Sequence, residues 1–147
     1  MSDLRTNPAA AAQAIEEAAA LYRQGKLDAA EKICARVLRA RPGWFDALHL
    51  LGLIKLQAGK AAAALGFLES ALKLNPGAPL VMSNLGMTLA ALNRDAEALA
   101  ILDKALALLP AQVEAITNRG NVLLKLNRPA EALAAFEQAM AIEPRFL

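Results

Sequence analysis

The sequence predicts an all-α solenoid of four helix-turn-helix repeats, and three observations carry that prediction. Four of the seven prolines, Pro42, Pro76, Pro110 and Pro144, recur at intervals of 34 residues. Small residues and then bulkier apolar ones return at the same interval. The chain is 56% hydrophobic but only 4% aromatic, and much of the excess is alanine, the strongest helix former. The period divides the 147 residues, without insertion, into blocks 11–44, 45–78, 79–112 and 113–146, preceded by an extension and helix start at 1–10.

Each block reads as a helical hairpin. The first opens behind Asn7, a residue type that caps helix N-termini, and Pro8, whose fixed φ and missing N–H suit a first helical turn. Its first helix carries Ala18, Gly25 marks the turn, and Ala30, Cys34 and Val37 follow on the second helix. The second block repeats the series as Gly52, Gly59, Ala64, Leu68 and Ala71. The third starts at Pro79 and runs through Gly86, Asn93, Ala98, Leu102 and Ala105. The fourth has Gly120, Asn127, Ala132, Phe136 and Ala139, with Pro129 opening its second helix. Small residues sit where two helices approach closely, and a bulky apolar residue fills the space between them. Gly25, Gly59, Asn93 and Asn127 are the types that tolerate the left-handed conformation ending a helix.

Charge excludes several functions. Sixteen basic and fourteen acidic residues give a formal charge of +2, with the signs interspersed, so neither nucleic acid nor a membrane surface is indicated as a partner. The amino terminus carries Asp3 and Arg5 before an alanine-rich run containing Glu16 and Glu17, which is not a secretion signal. No charge occurs between Lys73 and Arg94, but Pro76, Gly77, Pro79, Ser83, Asn84 and Asn93 leave too short an apolar run for a membrane span. One cysteine, Cys34, suits a reducing compartment, and the cytoplasm is expected.

One histidine and one cysteine build neither a zinc site nor a nucleophile pair, so no metal is expected. Glycines occur singly, with no phosphate-cradling loop and hence no cofactor. Glu16 and Glu17 diverge around a helix and form no catalytic pair. No catalytic residue is expected and the chain does not read as an enzyme. Cys34 reads as a core filler and His49 as a residue of a first-helix surface.

The run from Asn118 to Gly120, followed by Ala132, Phe136, Ala139 and Pro144, resembles the tetratricopeptide repeat (TPR) family. Departures are Ala14, Glu17, Lys55 and Arg119, the first block diverging most. The resemblance implies a right-handed superhelix whose first helices line a concave groove that holds a protein or peptide partner. That lining comprises Glu16, Ala19 and Tyr22; His49, Leu50, Leu53 and Leu56; Leu80, Ser83, Asn84 and Met87; Thr117, Asn118, Asn121 and Lys125. Within it Leu50, Leu53, Leu80 and Met87 are the apolar anchors if they face the groove, and core residues if the helix phase differs. Asn84, Asn118 and Asn121 offer amides to a peptide main chain, or face water.

The run Asn118-Arg119-Gly120-Asn121 is similar to repeats of bacterial proteins like O-linked N-acetylglucosamine transferase. It implies main-chain capture and a second function: the N-terminal substrate-recognition region of a larger enzyme. The basic clamp for terminal carboxylates found in chaperone-binding repeats has no counterpart. Its places hold Ile15, Ala19, Leu50, Leu80 and Asn84, or, one block on, His49, Leu53, Asn84, Glu114 and Asn118. After Pro144 only Arg145, Phe146 and Leu147 remain, so the apolar side formed by Phe136, Ala139 and Met140 is expected to be covered by further chain or by self-association.

Overall fold

The structure, a computed structural model, describes residues 3–144. Among them are α1 (Pro8–Arg23), α2 (Leu27–Ala40), α3 (Phe45–Gln57), α4 (Ala61–Leu74), α5 (Pro79–Ala91), α6 (Asp95–Leu108), α7 (Val113–Lys125) and α8 (Pro129–Ile142), with no strand. This is the alpha-alpha superhelix class, with about four helix-turn-helix repeats. Arg145, Phe146 and Leu147 lie outside the described residues.

Local chemistry sets the helix ends. The Asn7 side chain accepts from the backbone N–H groups of Ala9 at 3.1 Å and Ala10 at 3.3 Å, and Pro8, Pro79 and Pro129 open α1, α5 and α8. Every first helix stops at a left-handed residue, with φ of 77° at Gly25 and Gly59 and 60° at Asn93 and Asn127. The next N–H then turns back onto the carbonyl five residues earlier: Lys26 to Leu21 at 2.9 Å, Lys60 to Lys55 at 2.8 Å, Arg94 to Leu89 at 2.9 Å, Arg128 to Leu123 at 2.9 Å. That bond satisfies a carbonyl the helix leaves open.

Two compact units divide the chain, residues 1–75 and 76–147. In the first, α1 pairs with α2 and α3 with α4, and α3 also meets α1 and α2. In the second, α5 pairs with α6 and α7 with α8, and α7 also meets α5 and α6. Each unit therefore stacks two hairpins, the first helix of the later one lying against both helices of the earlier one.

Close approach inside three of the hairpins depends on glycine. A Cβ added to Gly52 would lie 2.6 Å from Leu68, one on Gly86 2.5 Å from Leu102, and one on Gly120 2.6 Å from Phe136. The first hairpin reaches the same end differently: Ala18 brings a Cβ, and the opposing place is held by the smaller Cys34, both fully buried in one core cluster. Cys34 is thus the volume partner of Ala18. Burial, reinforced by the charge of Glu31, pushes its thiol up to about 11, so it is a protonated core group and no nucleophile at neutral pH.

Polar ties run between successive hairpins and at the amino terminus. Lys55 of α3 pairs with Glu31 of α2 at 2.5 Å, and Arg119 of α7 with Asp103 of α6 at 2.6 Å. Arg41 donates to the carbonyls of Leu4 at 2.6 Å and Arg5 at 2.9 Å while stacking 5.1 Å from the Trp44 ring centre. The extension before α1 is thereby clasped to the first hairpin, with Leu4 packed on its core. No helix among the described residues is long and apolar enough to cross a membrane.

Candidate peptide-binding face

The second unit presents a face built from α5 and α7. On α5 the accessible residues are Leu80, Asn84, Met87 and Ala91, and on α7 Glu114, Thr117, Asn118, Asn121, Leu124 and Lys125. Both sets follow helical spacing, because Val81, Met82, Leu85 and Leu89 on one helix and Ala115, Ile116, Val122 and Leu123 on the other turn to the core. Lys125 fixes the two helices at their carboxyl ends. Its ammonium donates to the Ala90 carbonyl at 2.6 Å and to Asn93 Oδ1 at 3.3 Å, and pairs with Asp95 at 2.8 Å. A cation at a helix C-terminus also interacts favourably with the partial negative charge there.

Two polar atoms on this face stand out. Asn118 Nδ2 and Thr117 Oγ1 are shut off from solvent and have no hydrogen-bond partner among the described residues. Leaving such a group unsatisfied costs roughly 1–3 kcal/mol. Asn121, one turn further, is exposed, and Leu80 offers an apolar surface that is 53% exposed. Thr88, fully buried, is satisfied locally by donating to the Asn84 carbonyl at 2.8 Å.

Two models of one family match the sequence, both described as tetratricopeptide repeat, one over residues 55–117 and one over residues 113–146. Together they span more than half of the chain. The chain belongs to the tetratricopeptide repeat family. Solved structures agree in fold. MamA from Desulfovibrio magneticus RS-1, residue 41 to its end, is 20% identical with a TM-score of 0.81 over 92% of this chain and 77% of that one. MamA AMB-1 is 26% identical with a TM-score of 0.76 over 89% and 78%. No curated protein sequence matches the chain.

The structure revises part of the expected TPR lining. Leu50 is only 7% exposed and belongs to the core of the first unit, so it is not an anchor on an open surface. Ser83 is likewise buried. His49 and Leu53 are partly accessible on α3, in the first unit. Burial holds the His49 imidazole below its ordinary range, opposed by the nearby charge of Asp46, which leaves the ring neutral at pH 7. Leu80, Asn84, Met87, Asn118 and Asn121 all fall in the second unit, on α5 and α7.

Departures from the TPR pattern acquire reasons. Lys55 and Arg119, basic where the family is apolar, each meet an acid on the preceding hairpin. Between α6, α7 and α8 an open pocket of about 330 Å³ is lined by Leu106, Pro110, Ile116 and Ala135, with Asp103 and Arg119 at its rim. It was not anticipated, yet a signal existed: Ala135 stands where the other three blocks carry Ile33, Phe67 and Ile101. Among the described residues no group of three or more His, Cys, Asp or Glu is placed to hold a metal.

Proposed function

We propose that this TPR protein is an interaction scaffold that holds an extended or helical peptide of a partner on the α5/α7 face. Asn118, Asn121 and Asn84 meet the partner's main chain, and Leu80 and Met87 its apolar side chains. The observation that carries the reading is the buried, unpartnered Asn118 Nδ2 beside Thr117 Oγ1. Rotation of the Asn118 side chain brings this donor to the surface, where a peptide carbonyl supplies the acceptor it lacks, and an amide side chain can serve donor and acceptor on a main chain together. Met87 adapts its shape to varied apolar side chains. His49 and Leu53 offer a separate surface of the same kind on α3 of the first unit, by itself.

A scaffold of this kind needs no catalytic group, and a buried thiol at Cys34 suits a cytoplasmic setting. The recognition region of a larger enzyme resembling O-linked N-acetylglucosamine transferase is the second reading. It is favoured by the same Asn118 amide, and the reading frame beyond Leu147 discriminates the two.

The test starts from peptides selected out of a random displayed library on the immobilised chain. Affinity should fall about tenfold or more in Asn118→Ala with Asn121→Ala, equivalent to roughly 1.4 kcal/mol. The thermal midpoint of that variant should stay close to the parent's. Selected peptides that bind parent and variant equally would remove the asparagines from the mechanism.

A further inference from the structure

The pocket between α6, α7 and α8 stands where the chain's own repetition leads one to expect a large side chain. Counted back by two repeats, its bed of Leu106 and Ile116 corresponds to Leu38 and Leu48, and Ala135 to Phe67. In the first unit Phe67 is half-buried on the core cluster that contains Leu51, with Leu38 packed on the same cluster. In the second unit alanine takes its place and about 330 Å³ is left open. Two further exchanges accompany that loss: Ala35 gives way to Asp103 and Leu51 to Arg119, the ion-paired residues of the rim. The second unit thus lacks a ring that the first possesses and has a charged rim in exchange.

The opening does not come from the position of α8 in the chain. Ala135 and Gln138 line the pocket from one side of α8, whereas Leu133 and Met140 lie on the opposite side by helical spacing. Ala139, expected on that opposite side with Met140, is instead fully buried in the core with Ile116. On α6, which α7 follows, Lys104 holds the place of Gln138 and is still exposed. Ile101, at the place of Ala135, turns to its own hairpin, 3.3 Å from a Cβ placed on Gly86. A following helix therefore leaves this side of a second helix uncovered.

The rim selects the occupant. Arg119 gives its Nε–H to Asp103 Oδ1 at 2.6 Å, which leaves its other two nitrogens and Asp103 Oδ2 without a hydrogen-bond partner among the described residues. A guanidinium attracts the face of an aromatic ring, as Arg41 does over Trp44 in this chain, and a carboxylate oxygen accepts from an O–H or N–H at the ring's tip. The volume is at the lower end of small-molecule sites and one side is open, so a free molecule would be poorly enclosed. A ring attached to a polypeptide is held in place by the rest of its chain. None of the described aromatic residues is exposed, so a second copy has no such ring to offer from among them.

We propose that this pocket binds a tyrosine or tryptophan side chain of a partner protein. The ring lies on Leu106 and Ile116 in the space above Ala135, its face toward the Arg119 guanidinium, and its O–H or N–H donates to Asp103. The site uses none of the residues of the α5/α7 face and stands without that reading.

The probes are N-acetyl tyrosinamide and N-acetyl tryptophanamide, titrated into the full chain with ¹³C-labelled methyl groups. The Leu106, Ile116 and Ala135 methyl resonances should show saturable ring-current shifts, and N-acetyl phenylalaninamide should bind about threefold more weakly. Ala135→Phe, and the milder Ala135→Ile that restores the residue type of the first and third blocks, should fill the space and weaken binding about tenfold. Asp103→Ala should remove the advantage of tyrosine over phenylalanine. Circular dichroism of each variant checks that the helices persist. No saturable shift at these methyls, or shifts unchanged in the filled variants, overturns the proposal. So does equal binding of N-acetyl phenylalaninamide or N-acetyl leucinamide, since the rim would then select nothing. Ring-current shifts present before any probe is added would give the pocket to a ring of this protein's own. Free p-cresol binding about tenfold tighter than the tyrosine probe would give it to a small molecule. Either result overturns the assignment to a partner protein.

Discussion

At the scale of single residues, the structure turns on matched volumes across each hairpin. Gly52, Gly86 and Gly120 leave no room for a Cβ against Leu68, Leu102 and Phe136, whereas Ala18 is accommodated by the smaller Cys34. Enlarging Cys34 to leucine overpacks that contact, and overpacking of a well-filled core destabilises by roughly 1–3 kcal/mol. Cys34→Leu should therefore lower the urea midpoint, and Ala18→Gly in the same chain should recover about half the loss or more, the remainder being the helix cost of glycine, about 1 kcal/mol. Equal midpoints for the single and double variants would separate the two positions. Cys34 as a core filler was legible in the sequence because the 34-residue period aligns it with Leu68, Leu102 and Phe136. The burial of Leu50 was not. In Leu48, Leu50, Leu51, Leu53 and Leu56 the helix is apolar nearly all round, and such a pattern fixes no phase.

At the scale of elements, helix boundaries were the most legible feature, since proline, glycine and asparagine act through backbone geometry that no neighbour overrides. Asn93 and Asn127 adopt φ of 60° at a steric cost that glycine does not bear. Asn93→Gly and Asn127→Gly should each leave stability unchanged or raise it by up to about 1 kcal/mol, while Gly25→Ala and Gly59→Ala should lower it by about 1 kcal/mol. Thermal unfolding followed by circular dichroism measures both directions, and a loss in the asparagine variants would point to a use of those side chains beyond the turn. For Asn93 one such use is visible in its 3.3 Å contact with Lys125, so Asn127 is the cleaner comparison. The ion pairs between hairpins were not legible. Glu31 with Lys55 and Asp103 with Arg119 stand at different places in the repeat, and only the antiparallel register about each turn reveals that both belong to one pattern of pairing.

At the scale of the whole molecule, repetition makes stability a sum over hairpins and their junctions and leaves faces on which a partner can lie. Within the second unit, the face on α5 and α7 combines an apolar edge at Leu80 and Met87 with a polar one at Thr117, Asn118 and Asn121, and Lys125 holds the helices that carry them. Sequence periodicity placed these residues on first helices. It could not show that Asn118 Nδ2 is sealed from water without an acceptor, which is a property of the packed array. The most direct measurement is the side-chain amide NMR spectrum of ¹⁵N-labelled protein titrated with a library-selected peptide. The Asn118 and Asn121 NH₂ resonances should shift together with the backbone amides of α5 and α7. Shifts confined to α6 and α8, with both asparagine side chains unmoved, would contradict main-chain capture and move the peptide-binding surface elsewhere.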